Sequence, residues 1–133
     1  MNPWGVNTIY SNRKPLSKGE EQQLKARYVT LDDLLSKSDI ISLHCPLTSD
    51  THHLLNSATL SKCKRGVFII NTSRGPVIDE RALVEALTNR QVNRAGLDVF
   101  EREPQIEQEL LESDNVILSP HYAAFTRECS TSR

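Results

Sequence analysis

The order of apolar and polar runs along this 133-residue chain predicts an α/β fold, a parallel sheet flanked by helices. Short β-rich runs recur at Asn7 to Ser11, Ile40 to Cys45, Val67 to Ser73, Ala95 to Phe100 and Val116 to Ser119, with stretches of helical character between them. Ile40-Ile-Ser-Leu43 and Val67-Phe-Ile-Ile70 read as apolar on both faces, as expected when helices cover either side of a sheet.

After the first run, Lys14 to Arg27 is polar, contains Pro15 and Gly19, and reads as an exposed connection with a helical turn. Tyr28 and Val29 are read as one more brief strand. Thr30-Leu-Asp-Asp33 has the form of a capping box opening a short helix with Leu31, Leu34 and Leu35. Asp79 is placed to cap a helix carrying Ala82, Leu83, Ala86 and Leu87 at helical spacing. Neither repeats nor a domain boundary emerge.

The length suits one domain with a modest core and is too short for two complete domains; 38% hydrophobic content fits a soluble globular protein. Sixteen Lys and Arg against 17 Asp and Glu leave a net charge of -1, so no broad field favours nucleic acid or an acidic membrane surface. Cys45, Cys63 and Cys129 are odd in number and widely spaced, which suits reduced thiols better than a disulfide framework or a metal site. No apolar run approaches the roughly 20 residues of a membrane span. The Met-Asn-Pro-Trp start lacks the basic and apolar segments of a signal peptide, so a cytoplasmic protein is expected.

Three longer signatures narrow the reading. They are Leu34-Leu-Ser-Lys-Ser-Asp-Ile-Ile-Ser-Leu-His-Cys-Pro-Leu-Thr-Ser-Asp-Thr-His-His-Leu-Leu-Asn56, Cys63-Lys-Arg-Gly-Val-Phe-Ile-Ile-Asn-Thr-Ser-Arg-Gly-Pro-Val-Ile-Asp79, and Gly96-Leu-Asp-Val-Phe-Glu-Arg-Glu-Pro104 followed by Ser119-Pro-His-Tyr-Ala-Ala-Phe-Thr126. In this order they resemble the D-isomer-specific 2-hydroxyacid dehydrogenases, from about Pro3 to Glu128. Tyr10 to Pro15 is most similar to the glyoxylate/hydroxypyruvate reductase branch. The resemblance implies an incomplete Rossmann-like parallel sheet: residues 1–133 as a partial NAD(P)-binding domain, with the substrate domain absent.

It also implies roles. Arg74 would grip the substrate carboxylate and polarise the adjacent ketone with its planar guanidinium. His121 would be the general acid and base, since imidazole titrates near neutrality, with Glu103 beside it to orient the ring and stabilise imidazolium. The choice of Glu103 over Glu101 follows the Glu103-Pro104 pair, and Glu101 is expected to face solvent. His44, His52 and His53 match no family role and are assigned structural or solvent positions.

For the cofactor, the resemblance puts Cys45 and Pro46 near the adenosine, Thr72 and Ser73 near the nicotinamide ribose, and Asp98 on the nicotinamide carboxamide. Asp98 has an alternative as a strand-end carboxylate satisfied by local donors. Ser11, Asn12 and Arg13, with Lys14 nearby, stand where an NAD-preferring domain carries an acid; these donors would attract a 2′-phosphate, so NADP is expected before NAD.

The five glycines, Gly5, Gly19, Gly66, Gly75 and Gly96, do not form the G-x-G-x-x-G turn expected before Asn2-Pro-Trp-Gly5. Without that turn and its strand, Asn7 to Ser11 should be separated from the sheet begun by Ile40 to Cys45, leaving exposed edges. Arg127 to Arg133 departs from the family's return helix. The expected function is therefore NAD(P)H-dependent reduction of glyoxylate, hydroxypyruvate or a similar small 2-keto acid, inactive in this fragment. The alternative is a noncatalytic interaction protein that binds a full-length family subunit; the expected partners are a small 2-keto or 2-hydroxy acid and either a second copy in a homodimer or a full-length family member.

Overall fold

A computed structural model describes residues 5–123; Cys129, the Phe125-Thr126 end of the third signature and the 127–133 terminus lie outside the described residues. Among the described residues six strands alternate with five α-helices: β1 (Thr8–Tyr10), α1 (Lys18–Leu24), β2 (Ala26–Tyr28), α2 (Leu31–Lys37), β3 (Ile40–Leu43), α3 (Ser57–Leu60), β4 (Val67–Asn71), α4 (Glu80–Thr88), β5 (Val92–Leu97), α5 (Gln108–Leu111) and β6 (Val116–Leu118). All pairings are parallel, so every connection is a crossover and every strand's carboxyl end points the same way within its sheet.

The strands form two sheets, a β1-β2 pair and a four-stranded sheet in the order β3-β4-β5-β6. The expected separation of the first strand from the Ile40 sheet is thus observed. No strand pairing joins the two sheets among the described residues.

The polar stretch after β1 holds more than a turn. Ser17 and Glu20 form a reciprocal capping box that starts the seven-residue α1, and Lys25 ends it in the left-handed region at φ 53°. Tyr10 and Tyr28 meet edge to face with centroids 5.6 Å apart. Glu21 accepts from the Tyr10 hydroxyl at 2.9 Å and the Tyr28 amide at 3.0 Å, tying α1 to the strand pair. Thr30 caps α2 by accepting from the Asp33 amide, while the Asp33 carboxylate turns to the Thr30 hydroxyl and to Lys37.

The expectation that Ile40–Leu43 and Val67–Ile70 are covered on both faces is corrected. Burial alternates strictly along β3 and β4, and register puts the two sets on opposite faces. Ile41, Leu43, Val67, Ile69, Ala95 and Leu97 form the inner face and pack with Leu35, Leu60, Leu83, Ala86 and Leu87. Ile40, Phe68, Ile70 and Ile117 lie on the other face and remain exposed, at 57%, 37%, 37% and 73%. A run of branched residues cannot distinguish these cases, because the same residue types serve both.

The core helix α4 follows the predicted stripe. Asp79 accepts from the Ala82 amide at its N-terminus, and Ala82, Leu83, Ala86 and Leu87 are buried. Gly66, at φ 83°, makes the turn into β4 and donates its amide to Gln91.

Candidate active site

Three loops at the carboxyl ends of β4, β5 and β6 carry the predicted catalytic residues. The loop after β4 is shaped by Asn71, only 1% exposed. Its side-chain oxygen accepts from the Ser73 amide (3.0 Å) and hydroxyl (2.9 Å), and its amide nitrogen donates to the Arg74 carbonyl (3.0 Å). An Asn side chain folded onto the backbone two and three residues on makes a rigid turn. Thr72 and Arg74 are exposed on it, and the guanidinium donates to the Ser73 carbonyl at 2.6 Å. Gly75 follows because nothing larger fits: a Cβ there would lie 1.9 Å from the Phe100 carbonyl carbon and oxygen.

Asp98, buried just beyond β5, governs the loop after β6. Its carboxylate accepts from the Ser119 hydroxyl (2.6 Å), the Tyr122 amide (2.9 Å) and the Ala123 amide (2.9 Å). Burial alone would raise this carboxyl; the Ser119, Ala123 and Tyr122 donors outweigh it and hold the group below its ordinary range. These donors come from the loop after β6, 21–25 positions along the chain, and not from the local backbone.

The same loop bends through His121 at φ 58° and places its Nδ1 2.9 Å from Glu103 Oε2. Glu103 Oε1 accepts from the Phe100 amide at 3.0 Å, which fixes the carboxylate from behind. The His121 hydrogen bond, then the Phe100 amide, hold the Glu103 carboxyl below its usual range. An ionised carboxylate only accepts, so Nδ1 carries the proton between them, and no hydrogen bond engages Nε2 among the described residues.

Glu101 does not face solvent as expected. Its carboxylate meets His53 Nε2 at 2.9 Å, with the two side chains 21% and 32% exposed. His53 stacks on His52 with centroids 4.0 Å apart, and His44 Nε2 lies 2.8 Å from the Ser42 hydroxyl. Cys45 and Pro46 follow β3 at its carboxyl end, half-buried and exposed respectively. Ser11, Asn12 and Arg13 follow β1 on the two-stranded sheet, where the Asn12 side chain accepts from the Arg13 amide at 2.9 Å.

Residues 1–123 match the family model described as D-isomer specific 2-hydroxyacid dehydrogenase, NAD binding domain. The chain belongs to the D-isomer-specific 2-hydroxyacid dehydrogenase family. Over 129 residues it is 45% identical to glyoxylate reductase 1 of Saccharomyces cerevisiae, covering 96% of this chain and 36% of that protein. It is 50% identical to the hydroxypyruvate reductase of Thermotoga maritima, covering 94% of this chain and 40% of the relative. Among solved structures, a glyoxylate reductase from Paecilomyes thermophila superposes with a TM-score of 0.90 at 44% identity, over 96% of this chain and 38% of that one. A family member from Xanthobacter autotrophicus Py2, solved with NADPH and MES, superposes at 0.79 with 35% identity, over 88% of this chain and 48% of that one. The chain therefore spans between 36% and 48% of the length of these relatives.

Within the D-isomer-specific 2-hydroxyacid dehydrogenase fold, the nicotinamide-nucleotide sheet is Rossmann-like and parallel. Its strand-end loops account for every described candidate from Cys45 to His121. Sequence reasoning missed Asn71, Glu80, Ser119 and the His53–Glu101 pair as shaping residues. Asn71 carried a readable signal, since Asn at a strand end before Thr-Ser is a turn former. The others depend on partners 21 or 48 positions away.

Proposed function

We propose that this chain contributes the catalytic loops of an NAD(P)H-dependent oxidoreductase that reduces glyoxylate, hydroxypyruvate or a similar small 2-keto acid. The Glu103–His121 pair carries the reading: a carboxylate behind an imidazole whose second nitrogen is available is the arrangement for protonating a carbonyl oxygen. Exposed Arg74, on a loop pinned by Asn71, supplies a bidentate cation for the neighbouring carboxylate.

The donor set at the strand ends fits a nicotinamide nucleotide: the Thr72 and Ser73 hydroxyls suit a ribose, Asp98 a carboxamide, and Cys45 and Pro46 an adenosine. When bound, the cofactor supplies the hydride. Arg74 orients the substrate and draws density from its ketone, Glu103 aligns the His121 ring, and His121 delivers a proton to the ketone oxygen. Ser11, Asn12 and Arg13, with Lys14, offer donors and positive charge at the end of β1, which supports NADP over NAD. The same reading takes residues 1–133 as part of an NAD(P)-binding domain.

The test compares NADPH and NADH oxidation, with glyoxylate and hydroxypyruvate, by this chain and by a chimera carrying a family reductase's flanking segments. We expect turnover only in the chimera and preference for NADPH that falls with Arg13→Ala. We also expect loss of about 100-fold or more of kcat with His121→Ala. Unchanged turnover in that last variant would remove the reading.

The open face of the four-stranded sheet favours a second reading, a noncatalytic protein that pairs with a full-length family subunit. Mixing the chain with such a reductase in sedimentation velocity would support it by a heavier complex and remove it by independent sedimentation.

A further inference from the structure

The turn from Phe100 to Glu103 bears the carboxylate that sets His121, yet it is exposed at its tip and contains no regular structure of its own. Its position is fixed from the side. The Glu101 amide donates to Glu80 Oε1 at 2.7 Å, and the Glu80 amide reaches back to Glu101 Oε2 at 3.4 Å. Glu101 Oε1 meets His53 Nε2 at 2.9 Å. The His53 amide closes the ring by donating to the Pro76 carbonyl at 2.8 Å, one residue beyond the Gly75 contact with Phe100.

We propose that Glu80 and Glu101, braced by His53, are positioning residues that lock the Glu103–His121 pair to the Arg74–Gly75 loop. The inference rests on the reductase reading for the roles of Arg74, Glu103 and His121.

The energetics point the same way. Glu80 is only 4% exposed, and burial pushes its carboxyl up. A second carboxylate, Glu101, lies against it, with Glu107 and Arg102 the other charged groups nearby. Two carboxylates in a buried corner are unfavourable unless they satisfy donors that would otherwise be orphaned. Here each accepts the other's backbone N–H, one in the Phe100–Glu103 turn and one at the start of α4. Removing the Glu80 acceptor frees the Glu101 amide, and Phe100 is its covalent neighbour. The Phe100 amide in turn holds Glu103 Oε1, whose other oxygen holds His121. A displacement of about 1 Å along this path is enough to spoil proton transfer.

The test is made in the 133-residue chain by NMR, with Glu80→Ala, Glu80→Gln and Glu101→Ala. Two signals are read: exchange of the Phe100 amide, and titration of the Glu103 side-chain carboxyl. In Glu80→Ala we expect Phe100 exchange to quicken at least about tenfold, with Val92 and Ile69 unchanged, and Glu103 to titrate nearer its ordinary range. Glu80→Gln keeps an acceptor oxygen and should restore parent behaviour in both.

A folded Glu80→Ala with both signals at parent values overturns the proposal, as does a loss in Glu80→Gln equal to that in Glu80→Ala. Should Glu80→Ala not fold, Glu101→Ala decides. Faster Phe100 exchange sustains the proposal, and unchanged exchange overturns it. No substrate enters these measurements, so their failure is separable from a failure of the reductase reading, which appears as His121-independent turnover.

Discussion

Gly75 and Asp98 each do work that no side-chain chemistry at the reacting atoms would reveal. Gly75 allows the Arg74 loop and the Phe100 turn to touch through backbone alone, because any Cβ would overlap Phe100 and lie 2.5 Å from the Glu101 nitrogen. Gly75→Ala should therefore force the loops apart and cost about 1–3 kcal/mol, read as a lower Tm with faster Phe100 exchange. Asp98 and Glu103 both hold their carboxyls below the ordinary values of 3.8 and 4.5, so near pH 4 each binds fewer protons folded than unfolded. Their contribution is complete above about pH 4.5 and is lost as pH falls through the lowered folded values. Tyr122 and Ala123 amides should accordingly lose exchange protection on acidification, and Asp98→Asn should show that loss already at neutral pH. Glu80 has the opposite sign. Its raised carboxyl contributes fully below the ordinary value of 4.5 and less as pH rises through the folded value, so the Tm of Glu80→Gln relative to the parent should climb with pH.

Among the elements, α1 and α4 are held by different physics. Helix α4 buries Ala82, Leu83, Ala86 and Leu87 against the sheet, so its apolar stripe was legible from spacing and its N-terminus from Asp79. Helix α1 buries nothing; the Ser17–Glu20 box, the left-handed Lys25 cap and the Glu21 bridge to Tyr10 and Tyr28 define it. A polar stretch without a stripe reads as a connection, which is why this helix escaped the periodic pattern. Ser17→Ala should cost about 1 kcal/mol and speed exchange from Glu21 to Leu24, while β3 to β6 keep their protection. The parallel crossovers followed from the alternation of strand and helix, but one short strand was shifted, to Ala26–Tyr28, because pairing with β1 fixes its register.

At the scale of the molecule, the covered and open faces of the four-stranded sheet differ most. One face packs on α4 and its neighbours; the other presents Ile40, Phe68, Ile70 and Ile117. An apolar sheet face of this kind favours association. We expect sedimentation equilibrium to show concentration-dependent self-association, and Ile117→Lys, a change at a position 73% exposed, to weaken it without lowering Tm appreciably. An identical association constant in that variant would mean another surface is responsible.

The amino-acid sequence by itself determined the alternating α/β order, the stripe of α4, the family, and Arg74, Glu103 and His121 as the residues to examine. Those rest on local spacing and on long signatures, which survive without coordinates. Only tertiary structure decided which face of Ile40–Leu43 and Val67–Ile70 is buried, because identical branched residues line both. It alone decided that Glu101 pairs with His53 across 48 positions, and that Asp98 gathers the loop bearing His121. Hydrogen-bond partners distant in sequence are chosen by the packing that brings their backbones together, and no local pattern encodes that choice.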